Sequence, residues 1–243
     1  MHAMERLLDA NIWITQGSLE NQGPPPSLLK FVQKLPTTKG GRIEVGVRVA
    51  TNRGDARELC DRWVSQVHGP FIEGDISRAD AEWDWDLEIP GLTFAIGIRR
   101  RPRLLQLHTA DDGFPLGMVA LLENERWIGR HQEPAVYVWY LAGAPSAAFA
   151  KRHEIPKLLT AATLDSAITL SLNGPAEGRL WLHAAPEGGE RLLEWYSGVG
   201  LERVPERIRL PGPVLRPRRN DGRYFRLMRA TAVTVSSRLT EYR

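Results

Sequence analysis

The sequence predicts an α/β (α+β) fold, a mixed and mostly antiparallel sheet flanked by helices. Three observations predict it. Arg42–Ala50 (RIEVGVRVA) alternates apolar Ile43, Val45, Val47 and Val49 with polar or small residues, the period of a half-buried strand. Ala56, Leu59, Cys60, Trp63, Val64 and Val67 fall on one stripe of a 3.6-period helix. Ala135–Ala142 (AVYVWYLA) is apolar on both faces, as a central strand covered from both sides must be.

The elements follow in order. Residues 1–39 read as an N-terminal extension with a stiff Gly23–Pro26 spacer, and Ser27 and Pro36 bracket a predicted helix over Leu28–Leu35. The helix through Ala56 has Asp55 near its positive end, and Gly69-Pro70 predicts its stop. Cys60 on its stripe reads as a small buried hydrophobe. Residues 82–99 predict a hairpin with Trp83, Trp85, Leu87 and Ile89 on one face, Glu82, Asp84, Asp86 and Glu88 on the other, and a turn at Pro90-Gly91. Strands are expected at Leu104–Thr109, Pro115–Leu122 and Ala135–Ala142, the first two joined by an Asp111-Asp112-Gly113 turn. A long helix over Ile155–Leu172 starts near Pro156 and ends at Asn173-Gly174-Pro175. A strand at Arg179–Ala184, a short helix at Gly189–Val199 closed by Gly200, and strands around Leu201–Leu210 and Arg223–Met228 complete the order. Residues 231–243 are left as a C-terminal tail.

Composition narrows the function classes. With 42% hydrophobic and 25% charged residues, the 243-residue chain is neither disordered nor fibrous, and its length fits one domain with a sizeable extension. The single cysteine excludes an intramolecular disulfide and a Cys-cluster metal site. The six histidines include no pair at helical ligand spacing, so no metal is expected. P-loop, dinucleotide-binding and nucleophile-elbow motifs are absent. The most apolar stretch is too short for a bilayer, and Glu5 and Asp9 interrupt any leader, so a cytoplasmic protein without a membrane partner is expected. From Arg203 onward, 11 arginines face only Glu206, Asp221 and Glu241, a local charge of +8 within a chain of net +3. Such a region is either a solvated surface or a site for a polyanion such as nucleic acid.

Specific residues resemble a known family. Gly178–Pro205 (GRLWLHAAPEGGERLLEWYSGVGLERVP) carries a strand leading into a short helix that ends Trp195-Tyr196-Ser197-Gly198-Val199-Gly200-Leu201. Asp111–Glu125 (DDGFPLGMVALLENE) and Val136–Pro145 (VYVWYLAGAP) precede it. Together these resemble the GNAT N-acetyltransferase superfamily over residues 104–229, loosely 42–229, and suggest a domain over 40–230.

The resemblance implies a wedge between the fourth and fifth strands that takes the pantetheine arm of acetyl-coenzyme A, with backbone groups of Leu141, Ala142 and Gly143 bonding to it. It implies a pyrophosphate site at the N-terminus of the next helix. There the chain departs from the family pattern. Glu154 and Pro156 stand where glycines are expected, leaving Lys151, Arg152, His153 and Lys157 as side-chain donors. Either the phosphates bind in an altered way or the site is vestigial. Tyr196 matches the family's general acid, and His183 is the preferred general base, with Glu123 and Glu133 as weaker options. The implied activity is acetyl transfer to a small-molecule or peptide amine, with a homodimer left open. The rival reading is a degenerate fold that binds a protein or nucleic acid without catalysis.

Overall fold

The structure is a computed structural model that describes residues 29–50, 52–75, 78–85, 101–149, 154–211 and 220–243. Most of the expected 82–99 hairpin, and Lys151, Arg152 and His153, lie outside the described residues.

Among the described residues eight strands form one mixed sheet. In chain order they are β1 (Lys34–Pro36), β2 (Arg42–Ala50), β3 (Arg101–Thr109), β4 (Pro115–Trp127), β5 (Arg130–Gly143), β6 (Leu180–His183), β7 (Glu202–Arg203) and β8 (Tyr224–Leu227). Their spatial order is β1-β2-β3-β4-β5-β6-β8-β7, antiparallel throughout except for the parallel β5–β6 pair. This is the mixed, mostly antiparallel α/β arrangement the sequence leads one to expect. Four helices accompany it: α1 (Arg53–Trp63), α2 (Leu159–Asn173), α3 (Gly189–Val199) and α4 (Arg229–Ser237).

Local chemistry explains the elements that match. The side chain of Asn52 accepts from the Asp55 backbone N–H at 2.9 Å and starts α1. The stripe then buries Ala56, Leu59, Cys60 and Trp63, which confirms Cys60 as a packed residue. Helix α3 has the predicted bounds, and Gly200 at φ +115° gives it a left-handed close that a side chain would strain. On β4, side chains alternate across the sheet: Met118, Ala120 and Leu122 join the cluster with Trp63 on the α1 side, and Val119 and Leu121 join Leu164 and Ile168 of α2 on the other. Both faces are therefore covered at the sheet centre.

Other expectations are corrected. Gly69-Pro70 does not stop the first helix; π-helical turns over Val64–His68 carry it to Phe71, and the His68 carbonyl then accepts from the Ile72 and Glu73 N–H groups at 2.8 and 2.9 Å. The described end of the expected Leu28–Leu35 helix is instead extended, with Lys34–Pro36 pairing along β2 and Leu35 wholly buried. Helix α2 starts at Leu159, not near Pro156; Pro156 forms a β-bridge with Thr37, and the Lys157 N–H donates to the Pro36 carbonyl at 2.7 Å. The strand expected over Leu201–Leu210 shrinks to Glu202–Arg203. β4 and β5 run past their predicted ends into a long hairpin.

Residues 231–243 pack onto the domain. Helix α4 buries Ala232 and Val235, and Arg243 donates two bonds to Asp165 of α2, at 2.9 and 2.7 Å. Burial pushes the Asp165 carboxyl up, while Arg243 and the Ser236 and Thr169 hydroxyls pull it back. Among the described residues no helix is long and apolar enough to cross a membrane.

Candidate functional site

The site grows out of one break in the sheet. β5 and β6 pair in parallel through Val136–Leu180, Tyr137–Trp181 and Val138–Leu182, and the ladder ends there. At the same point the β4–β5 register shifts: Leu121 faces Val138 and Ala120 faces Tyr140, so Trp139 is an extra residue on β5. Such a bulge bends its strand. β5 leaves β6, and the strands open into a wedge of about 430 Å³ lined by Trp139–Ala144 on one side and His183, Ala185 and Pro186 on the other.

Glycines bring α2 to the wedge. Gly117 of β4 and Gly143 of β5 are cross-strand partners beneath its first turn. A Cβ at Gly117 would stand 2.2 Å from Thr163 Oγ1, and one at Gly143 would stand 3.5 Å from Thr160 Oγ1. Only glycine at 117 allows so close an approach. Leu158, just before α2, adopts φ +59°, a left-handed conformation that costs a leucine about 1 kcal/mol. That turn carries the chain from its bridge with β1 into α2, whose Thr160 lines the wedge. The first-turn N–H groups of α2 have no intrahelical acceptor and carry the positive end of its dipole.

Two titratable rings reach the wedge from opposite faces. Tyr196 of α3 packs against Phe225 (ring centroids 5.4 Å apart) on the α2–α3 side. Its hydroxyl has no hydrogen-bond partner among the described residues, and burial pushes the phenol above its ordinary range. His183 belongs to the other face, beside Tyr224 at 4.4 Å. Its Nε2 lies 2.9 Å from Asp221 Oδ2. Burial pushes the Asp221 carboxyl up, but bonds from His183 and the Arg223 N–H, with the His183 charge, outweigh it and hold the group below its usual range. An ionised Asp221 only accepts, so Nε2 carries the shared hydrogen and Nδ1 is the ring atom left to take a proton. Asp221 went unnoticed in the sequence because 38 residues separate it from His183. The β6–β8 pairing His183↔Tyr224 unites them.

The remaining candidates are distributed as follows. Leu141, Ala142 and Gly143 line the wedge, and the Gly143 carbonyl accepts from Arg78 at 2.9 Å. Lys157 is exposed and outside the wedge lining. Glu154 lies beside Gly41, where a built Cβ would meet its Oε2 at 2.9 Å. Glu123 and Glu133 also lie away from the wedge: Glu123 binds Arg103 at 2.9 Å, and Glu133 binds Arg130 at 3.2 Å.

Much of the basic charge after Arg203 is engaged within the fold. Of its eight described arginines, Arg203, Arg223 and Arg238 donate to backbone carbonyls, and Arg226, Arg229 and Arg243 pair with Glu202, Glu177 and Asp165.

No family model matches the chain, and no curated protein does. Among solved structures the chain is similar to a spermidine N-acetyltransferase from Vibrio cholerae in complex with CoA and spermine, at 16% identity over 78% of this chain and 98% of that one, TM-score 0.41. It is similar to an aminoglycoside N(6')-acetyltransferase from Legionella pneumophila at 14% identity, covering 88% and 99% of the two chains, TM-score 0.43. It is also similar to FdhC, a nucleotide-linked sugar GNAT, at 12% identity over 88% and 99%, TM-score 0.44.

Proposed function

We propose that this protein transfers an acyl group, acetyl in the simplest case, from acyl-coenzyme A to an amine. The observation that carries the reading is the open wedge with Tyr196 on one face and His183 on the other. A degenerate fold would be expected to plug that space with side chains; here about 430 Å³ is open.

The wedge fits an extended pantetheine arm, which could align along β5 where its ladder with β6 has ended. Arg78 already engages the Gly143 carbonyl, so Leu141 and Ala142 are the residues with backbone groups to offer. The phosphates would meet the first turn of α2, where unpaired N–H groups and the helix dipole favour anions. Lys151, Arg152, His153 and Lys157 are the side chains we assign to those phosphates.

The chemistry asks for two proton movements on opposite sides of one carbon. The amine nitrogen attacks the thioester carbonyl; the C–N bond forms and the C–S bond breaks. His183 takes the amine proton at Nδ1, with Asp221 orienting the ring and stabilising its charge. Tyr196 donates its hydroxyl hydrogen toward the departing sulfur. Burial disfavours the phenolate, so the proton stays on Tyr196 between turnovers.

Calorimetric titration with acetyl-coenzyme A tests the reading. Micromolar binding that weakens at least tenfold when Lys151 and Arg152 become alanine supports it. Absence of both heat and thermal shift at millimolar acetyl-coenzyme A would overturn it.

A further inference from the structure

A chain of nine rings crosses the α1 side of the sheet, from Trp63 through Trp85 and Trp83 to Tyr140, and on to His183. Successive centroids are 4.1–6.2 Å apart. A buried core needs such packing, and Trp63 and Trp181 are fully enclosed. The middle of the chain is different: Trp83, Trp139 and Tyr140 are only half-buried, and all three line the wedge. The bulge is the cause. Regular alternation would send Trp139 and Tyr140 to opposite faces, whereas here both pack with the α1-side cluster. Their rings lie 6.2 Å apart, and Tyr140 meets Trp83 at 4.6 Å.

The charges on the same side are mostly spent. Arg78 binds both oxygens of Asp80 at 2.8 and 2.7 Å, and Asp80 is buried. Among the described lining residues this leaves Glu187, at the β6–α3 turn, as the carboxylate without an ion pair. A polycation needs several acidic partners. A single amine on a flat ring needs one, plus aromatic faces to stack on.

We propose that the acceptor is a primary amine borne on a flat aromatic body, seated against Trp83, Trp139 and Tyr140 with its nitrogen toward His183. This rests on the acyl-transfer reading and names its substrate class. The product is the corresponding amide with release of coenzyme A thiol; the amine proton leaves by His183.

The test compares 2-phenylethylamine and tryptamine with spermidine and free lysine, reading thiol release with acetyl-coenzyme A as donor. The aryl amines are expected to show kcat/KM at least tenfold above the other two. Trp139→Ala and Trp83→Ala should each raise KM for 2-phenylethylamine about tenfold, a larger factor than that by which either changes acetyl-coenzyme A affinity. Trp139→Phe, which keeps a ring, should recover most of that loss and guards against misfolding of the alanine variant. Calorimetry of 2-phenylethylamine without donor separates the two claims. Binding that Trp139→Ala abolishes supports the aromatic seat even if acetyl-coenzyme A does not bind. Acetyl-coenzyme A binding together with preference for spermidine or lysine overturns the seat and spares the acyl-transfer reading. Equal aryl-amine kinetics and binding in parent and alanine variants also overturns it.

Discussion

The two faces of the sheet meet at one wedge and are built differently. On the α2–α3 face Tyr196 sits among aliphatic residues with the Phe225 and Trp195 rings at 5.4 and 5.1 Å, and among the described residues its hydroxyl finds no partner. On the α1 face the residues are aromatic, and His183 is held by a carboxylate. The two faces thereby give two titratable rings different settings. Burial without a partner penalises the charged form, so Tyr196 keeps its proton. On the other face Asp221 engages His183 Nε2 at 2.9 Å and leaves Nδ1 as the ring atom to take a proton. Environment, more than residue type, divides acid from base.

That comparison breaks most sharply at His183. His183→Ala is expected to lower kcat/KM about 10³-fold with acetyl-coenzyme A affinity retained, checked by thiol release and calorimetry. Tyr196→Phe removes one oxygen without a cavity; kcat should fall about 10²-fold while the Tm stays within about 2 °C. If both variants lost affinity for the donor equally, the division of labour between the faces would be wrong.

The next effect concerns what holds the α2 side in place. Gly117→Ala drives a Cβ into Thr163 and should cost roughly 1–3 kcal/mol, lowering the Tm by several degrees in a scanning melt. The same substitution at Gly143, with ordinary contact distance to Thr160, should cost less.

Asp221→Asn sharpens the α1 side. It keeps the shape and loses the charge that orients the ring, so kcat/KM should fall about tenfold in a thiol-release assay. Stability carries a second sign. The Asp221 carboxyl is held below its ordinary value of about 3.9. Its contribution is present above that value and lost as pH falls through the depressed one, so the Tm gap between the parent and Asp221→Asn should narrow as pH falls below the ordinary carboxylate value. The smallest expected change is Leu158→Gly, which relieves the left-handed strain and should raise the Tm by about 1–2 °C, less whatever the glycine adds to unfolded-chain entropy.

The sequence by itself determined the elements whose periodicity is local. β2 at Arg42–Ala50 and α3 at Gly189–Val199 have the bounds their patterns predict, since alternation, a 3.6-residue stripe and a closing glycine act within a few residues. The order of strands and helices, and with it the α/β arrangement, followed from those patterns. His183, Tyr196 and Leu141–Gly143 were suggested by the family resemblance; that they line one wedge is a tertiary fact, and their roles there are the proposal. Tertiary structure decided the rest. Leu35 and its neighbours gave up a helical pattern because an open sheet edge at β2 offered backbone partners. Helix α4 has a weak stripe and no side-chain cap, and is held by Ala232 and Val235 in the core. Asp221 meets His183 across 38 residues, and a one-residue bulge doubles two aromatic rings onto one face. Register, bulges and long-range pairs depend on which strand lies alongside, and no local pattern of residues encodes that.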